Sequence, residues 1–287
     1  MVSAVPLDGP ILFATMAAMN LRIVLWAAFS AAILASPAHA VRSDWTELSE
    51  GQLRLLAERD GSGAIRGGVE IALEPGWHTY WRYPGVSGIP PRLDFAGSEN
   101  VRRVTVSYPV PERYDDGTGI SLIYRDSVVF PFVVEAVDPE KAVSLRLEAL
   151  LGVCREICIP AEAKAVLPVP LEPDPDPLTR AVLESAGTRI PGAPERGRFA
   201  VEMAEVSGSD LRVALVLPEG GAPDLFVEPP EGWFVEQPVL VSAGAGRAVF
   251  DIPLGAGVPK GESAAGKTFR FLAVAGLRSI EETVVLP

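Results

Sequence analysis

The stretch VSLRLEALLGV, residues 143–153, sets Val143, Leu145, Leu147, Ala149 and Leu151 at every second position. Period two is the mark of a strand with one buried face, because successive side chains point to opposite sides of the sheet. The strand runs directly into CREIC, residues 154–158, which holds the only two cysteines of the chain, Cys154 and Cys158.

The same alternation recurs upstream. QLRLLAERD offers Leu53, Leu55 and Ala57; GGVEIAL offers Val69, Ile71 and Leu73; RRVTVSY offers Val104, Val106 and Tyr108. SVVFPFVVEAV offers Val128, Phe130, Phe132 and Val134, with Pro131 pointing to an edge strand or a bulge. Gly61-Ser62-Gly63, Gly85-Val86-Ser87-Gly88 and Asp115-Asp116-Gly117 punctuate these runs as turns. Residues 41–170 therefore read as an antiparallel β-sandwich of immunoglobulin-like type, and the chain as all-β. LEPDPDP (171–177) is an acidic, proline-spaced connector, and LTRAVLESAGTRI brings Leu178, Ala181, Val182 and Leu183 near helical spacing before Gly187. Residues 171–198 form a linker with this short helix. From Phe199 alternation resumes at Val201 and Met203, at Leu211, Val213, Leu215 and Leu217, and at Phe269, Phe271 and Ala273. Residues 199–287 are expected to form a second, smaller β domain.

The bulk composition agrees with this layout. The chain has 287 residues, of which 48% are hydrophobic and 22% charged, so it is globular in kind and long enough to bury a core without cross-links. A formal net charge of −12 argues against nucleic acid or an anionic membrane surface as the main partner. Residues 1–40 read as a signal segment. Met19 reads as the true start, with Arg22 in the basic region, an apolar run, and Ala38-His39-Ala40 fitting the small-x-small cleavage rule after Ala40. An uncleaved anchor is the rival reading. Beyond Val41 no stretch reaches the ~18 apolar residues a spanning helix needs. The mature chain is expected to be exported, where disulfides persist.

Three readings of the cysteine pair follow from the residues. A structural disulfide is the default for two cysteines in an exported chain, but a loop of about five residues contributes only about 2 kcal/mol by the chain-entropy estimate. Structural zinc wants four ligands, whereas the mature chain adds only His78, and Met203 is its only methionine to help hold Cu(I). A redox couple needs close spacing and access, so that one thiolate attacks a partner disulfide and the other resolves the intermediate. Arg155 and Glu156 pull the thiol pKa in opposite directions. All three readings stay open on the residues alone. Trp77, His78, Tyr80 and Trp81 form an aromatic cluster that strand packing explains best; flanking the thiols is its functional reading. No GxSxG, HExxH or Walker loop is present, and His78 has no identifiable nucleophile beside it.

Context narrows the choice. GWHTYWRYPGVSGIPPRLDF (76–95), YPVPERYDDGTGISLIYRDSVVFPF (108–132) and VCREICIPAEAKAVLPV (153–169) resemble, in the same order, the periplasmic N-terminal domain of the thiol:disulfide interchange protein DsbD, closest to its ScsB-like branch associated with copper tolerance. The resemblance covers roughly residues 50–170. It implies an immunoglobulin-like periplasmic domain that relays electrons through a redox-active centre at Cys154 and Cys158, with Cys158 forming the mixed disulfide. It also implies a cap loop within Tyr114–Ile120, with Tyr114, Asp115, Asp116 and Gly117 as its residues, and His78 and Tyr124 as flanking side chains. The implied partners are a periplasmic thioredoxin-like oxidoreductase and a separate membrane thiol–electron transporter, since no multi-span or thioredoxin segment is seen in the sequence. No cofactor, metal, nucleic acid or small-molecule substrate is expected. The cysteine spacing is closer than in the best-known members. The alternatives are a non-catalytic binding module with a structural disulfide and a Cu(I)-handling protein.

Overall fold

Alternation in the sequence becomes two stacked antiparallel sheets. The computed structural model describes residues 39–85, 87–117, 119–173 and 176–287; residues 1–38 of the expected signal segment lie outside them. Among the described residues twelve strands precede the linker: β1 (His39–Arg42), β2 (Thr46–Leu48), β3 (Gly51–Arg59), β4 (Ile65–Leu73), β5 (His78–Gly85), β6 (Arg92–Asp94), β7 (Val101–Val106), β8 (Glu112–Asp115), β9 (Ile120–Arg125), β10 (Ser127–Ala136), β11 (Val143–Cys154) and β12 (Cys158–Val169). One sheet runs β1-β3-β4-β10-β7, with β2 also on β3; the other runs β12-β11-β5-β9-β8, with β6 also on β11. The apolar sets of β3, β4, β10 and β11 meet in a single core, joined by Trp77, Trp81, Leu122 and Tyr124 from the second sheet. This is the immunoglobulin-like sandwich that the alternation predicts.

Pro131 departs from its expectation. Strand β10 is interior, flanked by β4 and β7, and its register shift falls between Glu135 and Ala136. Pro131 is tolerated because it lies one position beyond the β7 ladder, which ends at the Phe132–Val106 pair. Its carbonyl still accepts from the Ser107 N–H at 2.7 Å, so only the missing donor is lost there.

The connector delivers helix α1 (Pro177–Gly187). The Asp176 side chain caps it by accepting from the Leu178 and Thr179 N–H groups, and Pro177 opens the first turn, where a missing N–H costs nothing. Thr179, Leu183 and Ala186 form its buried face, while Leu178 is exposed.

Seven further strands follow: β13 (Ala200–Ser207), β14 (Asp210–Val216), β15 (Pro223–Glu228), β16 (Val239–Gly244), β17 (Arg247–Pro253), β18 (Thr268–Ala275) and β19 (Arg278–Val285). They make a β13-β14-β17-β16 sheet and a β15-β18-β19 sheet, with a core that includes Phe199, Leu211, Val213, Leu215, Phe250, Phe269 and Phe271. The three-stranded sheet is covered on both faces. Leu225, Val227, Phe271 and Ala273 face this second core, whereas Phe226 and Leu272 belong to the first. That explains why Leu272, which falls between the alternating Phe271 and Ala273, is apolar too. The described residues form one compact unit. Among the described residues no helix is long and apolar enough to cross a membrane.

Candidate functional site

Strands β11 and β12 form a long hairpin in continuous register from Val143–Val169 to Cys154–Cys158. The two cysteines are thus the last cross-strand pair before the tip Arg155-Glu156-Ile157, and they are joined by a disulfide. Parity assigns the faces. Leu151 and Val153 point into the core, so Gly152 and Cys154 lie on the outer face of the sheet.

On that outer face the neighbouring strand β5 contributes His78 and Tyr80, while Trp77 and Trp81 take the core side. His78 is the register partner of Cys154. The Tyr80 hydroxyl stands 3.1 Å from both sulfurs and donates to Cys154 Sγ. Two glycines make room for its ring. A Cβ on Gly88, which has φ +116°, would fall 2.4 Å from the Tyr80 ring, and one on Gly152 would meet it at 3.0 Å. The tyrosine is therefore held between backbone segments, with its hydroxyl aimed at the disulfide.

The two sulfurs are not equivalent. Cys154 is 2% exposed and packs with Tyr80 and Ile123, whereas Cys158 is exposed at the start of β12. Beside it, Ile157 is 68% exposed, an apolar side chain in water next to the accessible sulfur. Arg155 folds back over the Trp77 ring, 5.2 Å from its centroid.

Strand β8 covers the buried side. Tyr114 packs on the Tyr80–Ile123–Cys154 cluster, and its ring centroid is 5.0 Å from that of His78. The Arg125 guanidinium stacks over the Tyr114 ring, 4.9 Å from its centroid. Asp115 and Gly117 continue into an exposed turn in which the Gly117 N–H donates to Asp115 Oδ1 at 2.8 Å. Burial lowers the pKa of His78 and the Arg125 guanidinium adds to this, against an opposing pull from Asp116. Burial raises the pKa of Tyr80, as do Asp116 and Tyr114, which keeps the phenol protonated and able to donate.

Of the residues singled out in the sequence, Cys154, Cys158, His78 and Tyr114 come together here, and Asp116 acts on His78 and Tyr80 through its charge. Tyr124 does not join them. It stands on the opposite face of β9, its hydroxyl donating to the Pro109 carbonyl at 2.7 Å and its ring packed on Phe130. The side chain that touches both sulfurs, Tyr80, belongs to the aromatic cluster that the sequence reads first as strand packing, with flanking the thiols as its functional reading. Strand parity with His78 is the signal that places it on the cysteine face.

Residues 54–170 match the family model described as "Thiol:disulfide interchange protein DsbD, N-terminal". A crystal structure of the N-terminal periplasmic domain of ScsB from Proteus mirabilis superposes with a TM-score of 0.68 at 24% sequence identity, over 85% of this chain and 98% of that one. The first finding gives residues 54–170 homology to the DsbD N-terminal domain, and the second extends the likeness of fold across the later strands. No curated protein matches the chain in sequence.

Proposed function

We propose that this chain, which carries a domain homologous to the N-terminal domain of DsbD, is a periplasmic thiol–disulfide exchange protein acting through Cys154 and Cys158. The observation that carries the reading is the asymmetry of the pair: an exposed sulfur at a hairpin tip, joined to a buried one that shares a tyrosine hydroxyl with it. A staple at this place closes so short a loop that it adds little to a domain with a complete core.

In the reduced protein the exposed Cys158 thiolate attacks a disulfide of its partner. The partner's S–S bond breaks, a mixed disulfide forms through Cys158, and the displaced partner sulfur takes a proton from water. Cys154, once deprotonated, attacks Cys158 Sγ; the Cys154–Cys158 bond forms and the second partner sulfur leaves as a thiolate. Two electrons pass to the partner, and a thiol donor restores the pair. The acceptor is a thioredoxin-like periplasmic oxidoreductase, and the donor a separate membrane thiol–electron transporter. Tyr80 donates to whichever sulfur carries charge, and Tyr114 keeps the resolving sulfur away from bulk thiols until a partner is docked. Homology over residues 54–170 supports the periplasmic location, and cleavage after Ala40, which the small-x-small triplet Ala38-His39-Ala40 supports, yields a mature chain that begins at Val41.

The experiment is to present Cys154→Ala and Cys158→Ala chains, each reduced, to a periplasmic extract. The first is expected to accumulate mixed disulfides through Cys158, and the second to form them at least about tenfold more slowly because its thiol is buried. Equal adduct yields from the two variants, or none from either, would remove the assignment.

A further inference from the structure

The strand that carries the shield over the disulfide is held from its other side. Tyr114 and Arg113 are consecutive residues of β8, so their side chains leave opposite faces of the strand. Tyr114 lies on the cluster formed by Tyr80, Ile123 and Cys154. Arg113 points the other way, into residues more than a hundred positions later in the chain. Its guanidinium pairs with the Asp224 carboxylate, donates to the Leu225 carbonyl at 2.7 Å and to Gln237 Oε1 at 3.2 Å, and stacks 4.2 Å from the Phe226 ring centroid. Those four groups engage each of its three nitrogens in the plane and place an aromatic ring on one face. Phe226 is in turn a core residue, 6.2 Å from Trp81 across the junction, so the anchor is rigid.

Strand β8 has only four residues and, among the described residues, pairs with β9 alone as the last strand of its sheet. An edge strand this short frays readily when nothing covers it. Here the covering is supplied by residues 224–237, through one arginine.

We propose that the C-terminal β region is a clamp on the redox site: by gripping Arg113 it fixes β8, and through β8 it holds Tyr114 over the buried sulfur. Arg113 is thus a positioning residue that touches neither cysteine. The clamp gives residues 199–287 a role in controlling access to chemistry they do not perform. The inference rests on the exchange reading for its biological purpose, but the mechanical coupling is measurable without any partner.

The test is the rate at which iodoacetamide alkylates the buried Cys154 thiol of the reduced chain, read by mass analysis in a Cys158→Ala background, with the wild-type residues at 113 and 114, with Arg113→Leu, with Tyr114→Ala and with both. Removing the shield in Tyr114→Ala is expected to speed alkylation about tenfold or more, as is Arg113→Leu, since charge-assisted hydrogen bonds that close β8 are lost. The double variant is expected to be no faster than Tyr114→Ala, because the arginine acts only through the tyrosine. A wild-type rate in Arg113→Leu overturns the clamp. So does an Arg113 effect that persists in full without Tyr114, which marks general loosening instead. If Arg113→Leu does not fold, Gln237→Ala and Asp224→Asn remove single anchors and are expected to give smaller accelerations of the same kind; wild-type rates in both overturn the proposal. Failure of the Cys154→Ala trap with an intact double-variant pattern would sink the exchange reading and leave the clamp standing.

Discussion

At Tyr80 one hydroxyl serves two sulfurs, 3.1 Å from each. In the oxidised protein it makes a weak bond to a neutral acceptor; in the reduced protein the same donor meets a thiolate, for which a hydrogen bond is worth about 1.5–3 kcal/mol. The residue therefore stabilises the reduced state more than the oxidised one. Tyr80→Phe keeps the ring in its slot between Gly88 and Gly152 and removes only this donor. Its expected effect is a reduction potential about 30 mV more negative than wild type, corresponding to about 1.4 kcal/mol for a two-electron couple, read by equilibrium against a glutathione redox buffer. The melting temperature is expected to stay close to that of wild type. None of this was legible from composition. An aromatic in a β-rich segment is most often core, as Trp77 and Trp81 are, and only the face that Tyr80 occupies distinguishes it from them.

At the scale of elements, the β11–β12 hairpin presents the site. Its period-two pattern is readable over most of its length, because β11 alternates between a buried and an open face as far as Leu151 and β12 does so from Ala161. From Gly152 onward the pattern fails and both faces are covered, which is where function begins: the sheet's outer face is roofed by Tyr80 and by Tyr114 from β8. Periodicity within one strand cannot report a roof made by another. Pro131 shows the converse limit, since the rule that proline marks an edge assumes a neighbouring strand that continues past it, and β7 does not. The hairpin also predicts how little the disulfide contributes to folding. With eleven cross-strand pairs below it, the tip bond adds only the entropy of a loop of about five residues. Replacing both cysteines by alanine is expected to lower the unfolding free energy by about 2 kcal/mol or less, measured by urea denaturation; a loss of more than about 4 kcal/mol would mark a staple.

Across the whole molecule, the later strands do more than follow the first sandwich. Their three-stranded sheet has one face in each core, and charged groups tie the junction together. Arg82, with little of its side chain exposed, pairs with Glu228 and Glu281 and stacks on Trp81 and Tyr108. Arg82→Met leaves both carboxylates without that partner. Arg270 remains 3.0 Å from Glu228, so the expected destabilisation is about 2 kcal/mol, below the about 3–5 for breaking a fully buried pair. Thermal unfolding followed through the tryptophans checks it. Alternation announced a second set of strands, but a contact such as Arg113 with Asp224, 111 positions apart, leaves no local trace in either segment.

The central claim is that Cys154 and Cys158 form an exchanging couple, and their reduction potential tests it most directly. The purified mature chain is equilibrated in graded mixtures of reduced and oxidised glutathione, quenched by alkylation, and scored for free thiols at the two positions. A potential above about −300 mV, with full conversion between the two states, is the predicted result. A bond that stays oxidised at every poise, with a potential below about −300 mV, is the signature of an inert structural disulfide and would contradict the account.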